Sequence, residues 1–242
     1  MKLLFSFCLL VLATPLLAQT ADVKDVINRA RATLGVDSTL DSLVTLQIKG
    51  RLDPVDAKVP PAMIFIVARK PCSQRMEIRI DDMVETHILH DKSHGCLVRS
   101  NLQTSASQMR KLAPPELARV VFSTRQFFSF YRPDFKNGET ATYEGIEQRR
   151  GIRCHKLHYA YPDGLATTRY FSVNEDKLVS TITGSQLESV PIGVQKVGGI
   201  RFPEAIEYYE DGLKLHTIVF SSIQTNKPLQ EGIFDIPQGQ KK

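Results

Sequence analysis

Along residues 21–34, ADVKDVINRARATL, apolar side chains recur at Val23, Val26, Ile27, Ala30 and Leu34. That spacing puts them on one face of an amphipathic helix. Thr20 or Asp22 is suited to cap its start, and Gly35 to take the turn after its end. From Leu43 the period shortens to two. Leu46 and Ile48 alternate with Gln47 and Lys49, Ala62 to Ala68 is a continuous apolar run, and Met76, Ile78 and Ile80 alternate with Glu77 and Arg79. These segments predict strands, buried on one face where they alternate and on both where they do not. Asp81-Asp82 and the DKSHG stretch flank VETHILH and lead into CLVRS, so this half of the chain reads as an antiparallel meander with short connections.

Residues 105 to 135 break the strand pattern. Pro114-Pro115 followed by ELARVVFSTRQFFSFY predicts a second helix, ended by Pro133. Leu117, Val120, Val121, Phe127, Phe128 and Tyr131 share one broad face of it. Beyond it, seven strand-like stretches run to residue 223. Turn signals divide them at Arg150-Gly151, Pro162-Asp163-Gly164, Asn174-Glu175-Asp176, Gly198-Gly199 and Asp211-Gly212. The pattern predicts about eleven or twelve strands and two substantial helices. Strands and helices do not alternate, which disfavours a parallel α/β sheet. With no low-complexity linker and no repeat, the expected architecture is mainly β, one domain around one large antiparallel sheet.

The first residues change the picture of where that domain works. Lys2, an apolar run from Leu3 to Leu12, and small Ala18 before Gln19 have the layout of a secretory leader over residues 1–18, leaving a domain of residues 19–242. A lipoprotein leader would place a cysteine just after the cut, where Gln19 stands. The apolar run is too short to span a bilayer, and no stable membrane insertion is expected. Removing residues 1–18 takes away Lys2 and no acid, so the formal charge falls from +5 to +4. The basic residues are interspersed with acids. That pattern makes a solvated surface, and an exported chain without a basic stripe is not expected to bind nucleic acid.

Cys72, Cys96 and Cys154 survive leader removal. An odd count outside the cytoplasm suggests one bridge and one spare thiol. In the meander, the connections holding Cys72 and Cys96 fall at the same end of the sheet, which makes Cys72–Cys96 the candidate disulfide, with pairings of Cys154 still open. The stretch HILHDKSHGC gathers His87, His90, His94 and Cys96. On a helix the three histidines would line one face and suit zinc. On a strand His87 and His90 point to opposite faces. The β-forming flanks and the turn chemistry of Asp91 to Gly95 favour a hairpin, and no metal is expected. His155 and His158 diverge by the same rule. No nucleophile elbow, zinc-protease, phosphate-loop or C-x-x-C motif is present, so the expectation is a protein that holds rather than reacts, without a cofactor.

Three stretches together resemble the periplasmic lipoprotein-carrier-like proteins, the LolA-like superfamily. They are RMEIRIDDMVETHILHDKSHGC, GIRCHKLHYAYPDGLATTRYFSVNEDKLV, and the C-terminal pattern Val197, Gly199, Ile200, Phe202 and Pro203, then Ile223, Asn226, Phe234 and Pro237. The aromatic that follows the hairpin glycine in that family is Cys96 here, and the chain has no tryptophan. The resemblance implies an unclosed half-barrel, a strongly curved antiparallel sheet with two helices packed on its concave face. It implies a periplasmic carrier or binding protein whose apolar cavity takes lipid-like ligands, lipoprotein acyl chains among them. The expected cavity wall is Ile64, Ile66, Met76, Ile78, Val84 and Ile88, with Val121, Phe127, Phe128 and Tyr131 on the helical cover. A monomer with a lipid or acyl-chain ligand, and an envelope protein as a possible partner, completes the expectation. The alternative is a ligand-free envelope interaction module.

Overall fold

The computed structural model describes residues 22–184 and 186–237; the leader expected at 1–18 lies outside them. Helix α1 (Val23–Leu34) starts at Asp22, whose carboxylate accepts from the Lys24 amide at 2.8 Å. It buries Val26, Ile27 and Ala30, as the apolar spacing requires. A five-residue helix α2 (Asp37–Asp41) follows. Then come β1 (Thr45–Pro54), β2 (Ala62–Arg69), β3 (Ser73–Ile80), β4 (Met83–Asp91), β5 (His94–Asn101) and β6 (Ser107–Lys111). Helix α3 (Pro114–Ser129) opens on two prolines, with the Glu116 carboxylate accepting from the Ala113 amide at 2.8 Å. It ends where Phe130 and Tyr131 turn left-handed (φ 44° and 71°) ahead of Pro133. A short 3-10 turn (Phe135–Asn137) leads to β7 (Thr140–Arg149), β8 (Ile152–Ala160), β9 (Ala166–Ser172), β10 (Leu178–Thr183) and β11 (Leu187–Ile192). The chain closes with β12 (Gln195–Val197), β13 (Ile200–Phe202), β14 (Ala205–Glu210) and β15 (Leu213–Thr225).

Thirteen strands form one antiparallel sheet in the order β6-β5-β4-β3-β2-β1-β15-β14-β11-β10-β9-β8-β7, and β12 and β13 pair apart. The sheet does not close. Its middle is made by the last strand returning to the first, Leu46 opposite Thr225 through Pro54 opposite His216. Three elements depart from the sequence pattern. β6 is fully exposed at the sheet edge, with Met109 its one apolar side chain, so it lacks apolar alternation. α2 is too short for a period to show. One of the seven strand-like stretches after the second helix, SVPIGVQKV, splits into β11 and β12 at Gly193, whose φ of 66° an L side chain rarely adopts.

One helix reveals the curvature. On one side, Thr124 of α3 donates to the Gln74 side-chain oxygen on β3 at 2.7 Å. Two residues on, Gln126 accepts from Arg169 on β9. β3 and β9 stand seven places apart in the sheet order, roughly 34 Å across a flat sheet at strand spacing. A helix is only about 10–12 Å wide, so the sheet must wrap around α3, and the face that α3 touches is concave.

The helices pack on that face in four groups. α1 covers Leu157, Tyr159 and Phe171. Leu40 of α2 packs with Leu43, Phe130 and Ile200. Phe127 and Phe128 lie on Leu46, Ile48 and Ile223. Val121 seats between Cys72 and Leu89. Thr124 and Gln74 are 0% and 2% exposed, so Thr124→Val leaves the Gln74 side-chain amide without its buried hydroxyl partner. The expected cost is about 1–3 kcal/mol, read as a lower urea midpoint.

The cysteines depart from expectation: Cys72, Cys96 and Cys154 are free, buried thiols. Cys72, just before β3, and Cys96, on β5, do sit toward one end of the sheet, but β4 runs between β3 and β5. Two strand spacings, about 9–10 Å, exceed the roughly 7 Å that a disulfide spans. Parity separates them further. Cys72 packs on concave-side Leu89, whereas Cys96 pairs with Ile88 on the other face. Burial pushes all three thiols above the usual range. The native chain should resist iodoacetamide, and the denatured chain from residue 19 on should expose three thiols, where a Cys72–Cys96 bridge leaves one.

Candidate functional site

Ladder register assigns the faces of the wall residues. Leu46 and Ile48 of β1 lie opposite Ala68 and Ile66 of β2. Ile66 and Ile64 lie opposite Met76 and Ile78 of β3. All of these share the α3 side. Across the two-residue turn after β3, Ile78 pairs with Glu85, Met76 with His87, and Gln74 with Leu89. Val84 and Ile88 pair instead with Arg79 and Arg75. So Ile64, Ile66, Met76 and Ile78 stand on the concave face, whereas the ladder partners of Val84 and Ile88 put these two on the convex one, Val84 still bordering the same hollow as Ile78 and Ile80 near the turn. A two-residue hairpin turn reverses parity, so even positions on β3 face the same way as odd positions on β4. The convex face of β1, β2 and β3 carries the C-terminal segment: Gln47 donates to the Pro228 carbonyl, and Arg69 stacks at 4.9 Å on the Phe234 ring.

Of the expected cover, Val121, Phe127 and Phe128 pack on the sheet, and Tyr131, just beyond α3, meets Phe171 edge-on at 5.1 Å. The cover therefore plugs one end of the barrel. The helix-packed clusters stop at Ile66 and Phe220. Past that line the concave face continues as a trough, floored by Met76, Ile78 and Ile80 of β3, Ile218 of β15 and Ile206 of β14. All five are half-buried, and each is placed on this face by its partner in the ladder. From β3 to β14 the floor spans five neighbouring strands, about 19 Å. On the β4–β5 side it ends at Glu85, which accepts from His87 Nε2 at 2.9 Å and from Arg99 at 2.8 Å. Ile78, Ile80, Met83, Val84, Glu85 and Arg99 also line a hollow of about 300 Å³ there.

On the other side the trough ends in a polar row. Register sets His216 beside Tyr208, Tyr208 beside Ser189, Ser189 beside Thr181, and Thr181 beside Arg169. The Tyr208 and His216 rings stack at 4.7 Å, and burial lowers the imidazole's basicity and raises the phenol. Arg169 is the residue that sequence reading missed. In ATTRYFS it looks like the polar member of an alternating strand, and its burial depends on α3 passing over it.

Two further depressions lie around α3. A cleft of about 650 Å³ at the plugged end is lined by Lys70, Cys72, Lys92, Arg125, Phe128 and Arg132, among others. Its charges are largely matched. Arg132 pairs with Asp37 and Asp41 at 3.1 Å, Arg125 faces Glu139 at 3.7 Å, and Lys70 donates to the Asp41 carbonyl. Burial lowers the Lys70 pKa, and its ammonium sits 5.7 Å from the Phe128 ring centre. A groove of about 410 Å³ runs beside Leu117 and Val121 to Pro162. Both lie beside α3, apart from the trough.

The histidines of HILHDKSHGC diverge. His87 bonds Glu85 on the concave face, His90 reaches the Phe234 carbonyl at 3.1 Å, and His94 meets Asp91 at 3.0 Å in the hairpin turn. Among the described residues no three His, Cys, Asp or Glu side chains converge on a metal-sized point.

A bent, unclosed antiparallel sheet with helices across its concave face is the architecture of the LolA superfamily, and this chain has that fold. A LolA superfamily protein from Nitrosomonas europaea superposes with a TM-score of 0.56 at 10% identity, over 88% of this chain and 97% of that one. A Vibrio parahaemolyticus domain assigned to outer membrane lipoprotein sorting matches with a TM-score of 0.56 at 7% identity and the same coverage. A DUF1329 family protein from Desulfovibrio piger gives 0.58 at 12% identity, again over 88% and 97%. No sequence-family model and no curated protein sequence matches the chain. No helix among the described residues is long and apolar enough to cross a membrane.

Proposed function

We propose that the chain is an exported, non-enzymatic carrier or binding protein for lipid-like hydrophobic ligands, whose acyl chain lies in the trough. The observation that carries this reading is the row Met76, Ile78, Ile80, Ile206 and Ile218, partly exposed apolar side chains on the concave face outside the helix-packed clusters. An apolar sheet face of that width is normally packed in a soluble protein, and leaving it open marks a place for a partner. Each methylene buried there contributes about 0.8 kcal/mol, so ten bring about 8 kcal/mol before the costs of ordering. The names of the neighbours in LolA and lipoprotein sorting support a carrier, with lipoprotein acyl chains among the ligands. A fluorescent fatty-acid probe should bind saturably to the purified chain, and absence of saturable binding defeats the reading. Export rests on residues 1–18: the N-terminus of protein recovered from the cell envelope should begin at Gln19, and a retained leader contradicts it.

A second reading, an envelope interaction module, is favoured by β6. It is an exposed edge strand whose outer backbone groups are open to another strand. A defined protein partner retained by a chain that takes up no lipid selects this alternative.

A further inference from the structure

Among the described residues two cations are buried on the concave side, and they differ in one respect. Arg31 is matched by Asp37 and Asp41, each at 2.9 Å. Arg169 is 6% exposed and has no carboxylate within ion-pair distance among the described residues. Its Nη2 donates to the Gln126 side-chain oxygen and, at 3.4 Å, to the Tyr161 hydroxyl. Its remaining surroundings are aromatic: the Tyr159 ring centre lies 4.3 Å away and that of Tyr131 5.6 Å. A buried charge with no counter-charge is costly to keep, and tyrosines supply none. Burial holds Tyr131 and Tyr159 protonated, each pushed up to about 12.

A second group there is also short of partners. The Tyr159 hydroxyl is buried beside the Arg169 guanidinium without a well-formed hydrogen bond. A guanidinium has five donors and a phenol one more, and Gln126 and Tyr161 accept from only one of the guanidinium nitrogens. The missing complement is an oxyanion, which accepts several charge-assisted hydrogen bonds at once. The row His216, Tyr208, Ser189, Thr181 leads from the open trough to this point. An apolar floor bordered by a polar row that ends at a cation has the polarity of an amphiphile.

We propose that Arg169, with the Tyr159 hydroxyl, binds the acidic head group of the ligand, so that the trough selects anionic amphiphiles over neutral lipids of equal chain length. This rests on the carrier reading above. Gln126 is the neutral acceptor at that position in the empty chain, and the head group displaces it.

The test is competition for a bound fluorescent acyl probe by hexadecanoate, 1-hexadecanol and hexadecyl phosphate, three ligands with one chain and different heads. The wild-type chain should prefer hexadecanoate or the phosphate over the alcohol by about tenfold or more, the range of a charge-assisted contact. The order of the two acids tells whether a carboxylate or a phosphate head is the better fit. Arg169→Met should bind the alcohol as the wild type does and lose the preference, and Arg169→Lys should keep part of it. Equal wild-type affinity for acid and alcohol overturns the assignment of Arg169 and leaves the carrier intact. Failure of all three to compete overturns both. Should Arg169→Met fail to fold, the wild-type preference and Arg169→Lys decide alone.

Discussion

Ile78→Asn is expected to weaken an acyl-chain probe by about one to two orders of magnitude while moving the melting temperature by only a few degrees. Ile78 is half-buried on the trough floor, opposite Ile64 and Glu85 in the neighbouring strands. An asparagine there removes apolar contact with the ligand and leaves an amide against hydrocarbon, together roughly 1.5–3 kcal/mol. That energy converts to about 10–150-fold in affinity. The empty chain loses less, because the position is open to water without ligand. Val67→Asn is the matched control. Val67 lies on the neighbouring β2, opposite Gln47 and Arg75 on the convex face, and its substitution should leave probe affinity unchanged. If Val67→Asn weakens binding as strongly as Ile78→Asn, the assignment of faces is wrong.

Arg31→Ala is expected to destabilise the chain by about 2–4 kcal/mol. Arg31 is 1% exposed on α1 and holds three helices together. Its Nη1 donates to the Ser129 and Phe130 carbonyls, at 3.0 and 3.1 Å, where α3 ends. Its Nε and Nη2 reach Asp37 and Asp41 of α2, each at 2.9 Å. Those carboxylates are more than half exposed and also meet Arg132. Their ion pairs are therefore screened and add little. The loss comes from two carbonyls deprived of a buried donor and from the gap left by the stem. At roughly 2–4 °C per kcal/mol for a chain of this size, the melting temperature should fall by about 4–16 °C. Arg132→Ala, at the exposed side of the same cluster, should fall far less. A small loss at Arg31 would show that α1, α2 and α3 are held by their apolar contacts alone.

What the sequence made legible follows from locality. Helix α1 and the meander from β1 to β5 are written in apolar spacing and short turns, each decided within a few residues. The cover over the sheet was visible because Phe127 and Phe128 sit on one helical face. The pairing of β15 with β1 brings together residues about 170 positions apart in the chain, and no local pattern marks it. β6, whose five residues are all polar or exposed, carries no burial signal because it packs on nothing. The misplacing of Val84 and Ile88 had a remedy in the sequence. Asp81-Asp82 is a two-residue turn, and applying its parity reversal to the neighbouring strands sends both to the far face. In VETHILH the adjacent Ile88 and Leu89 obscure that choice, since both are buried. The Cys72–Cys96 pairing came from correct strand ends without the intervening strand. Arg169 was beyond reach, because a polar residue in an alternating strand is read as exposed until the helix over it is known.

Native mass spectrometry of the full chain, purified without detergent or organic solvent, decides whether the trough carries a lipid. The expected spectrum has charge states carrying added mass of one lipid-sized molecule, released on collisional activation as an acyl-chain amphiphile and diminished in Ile78→Asn. Bare polypeptide from every preparation, with no adduct after incubation with hexadecanoate, would contradict it.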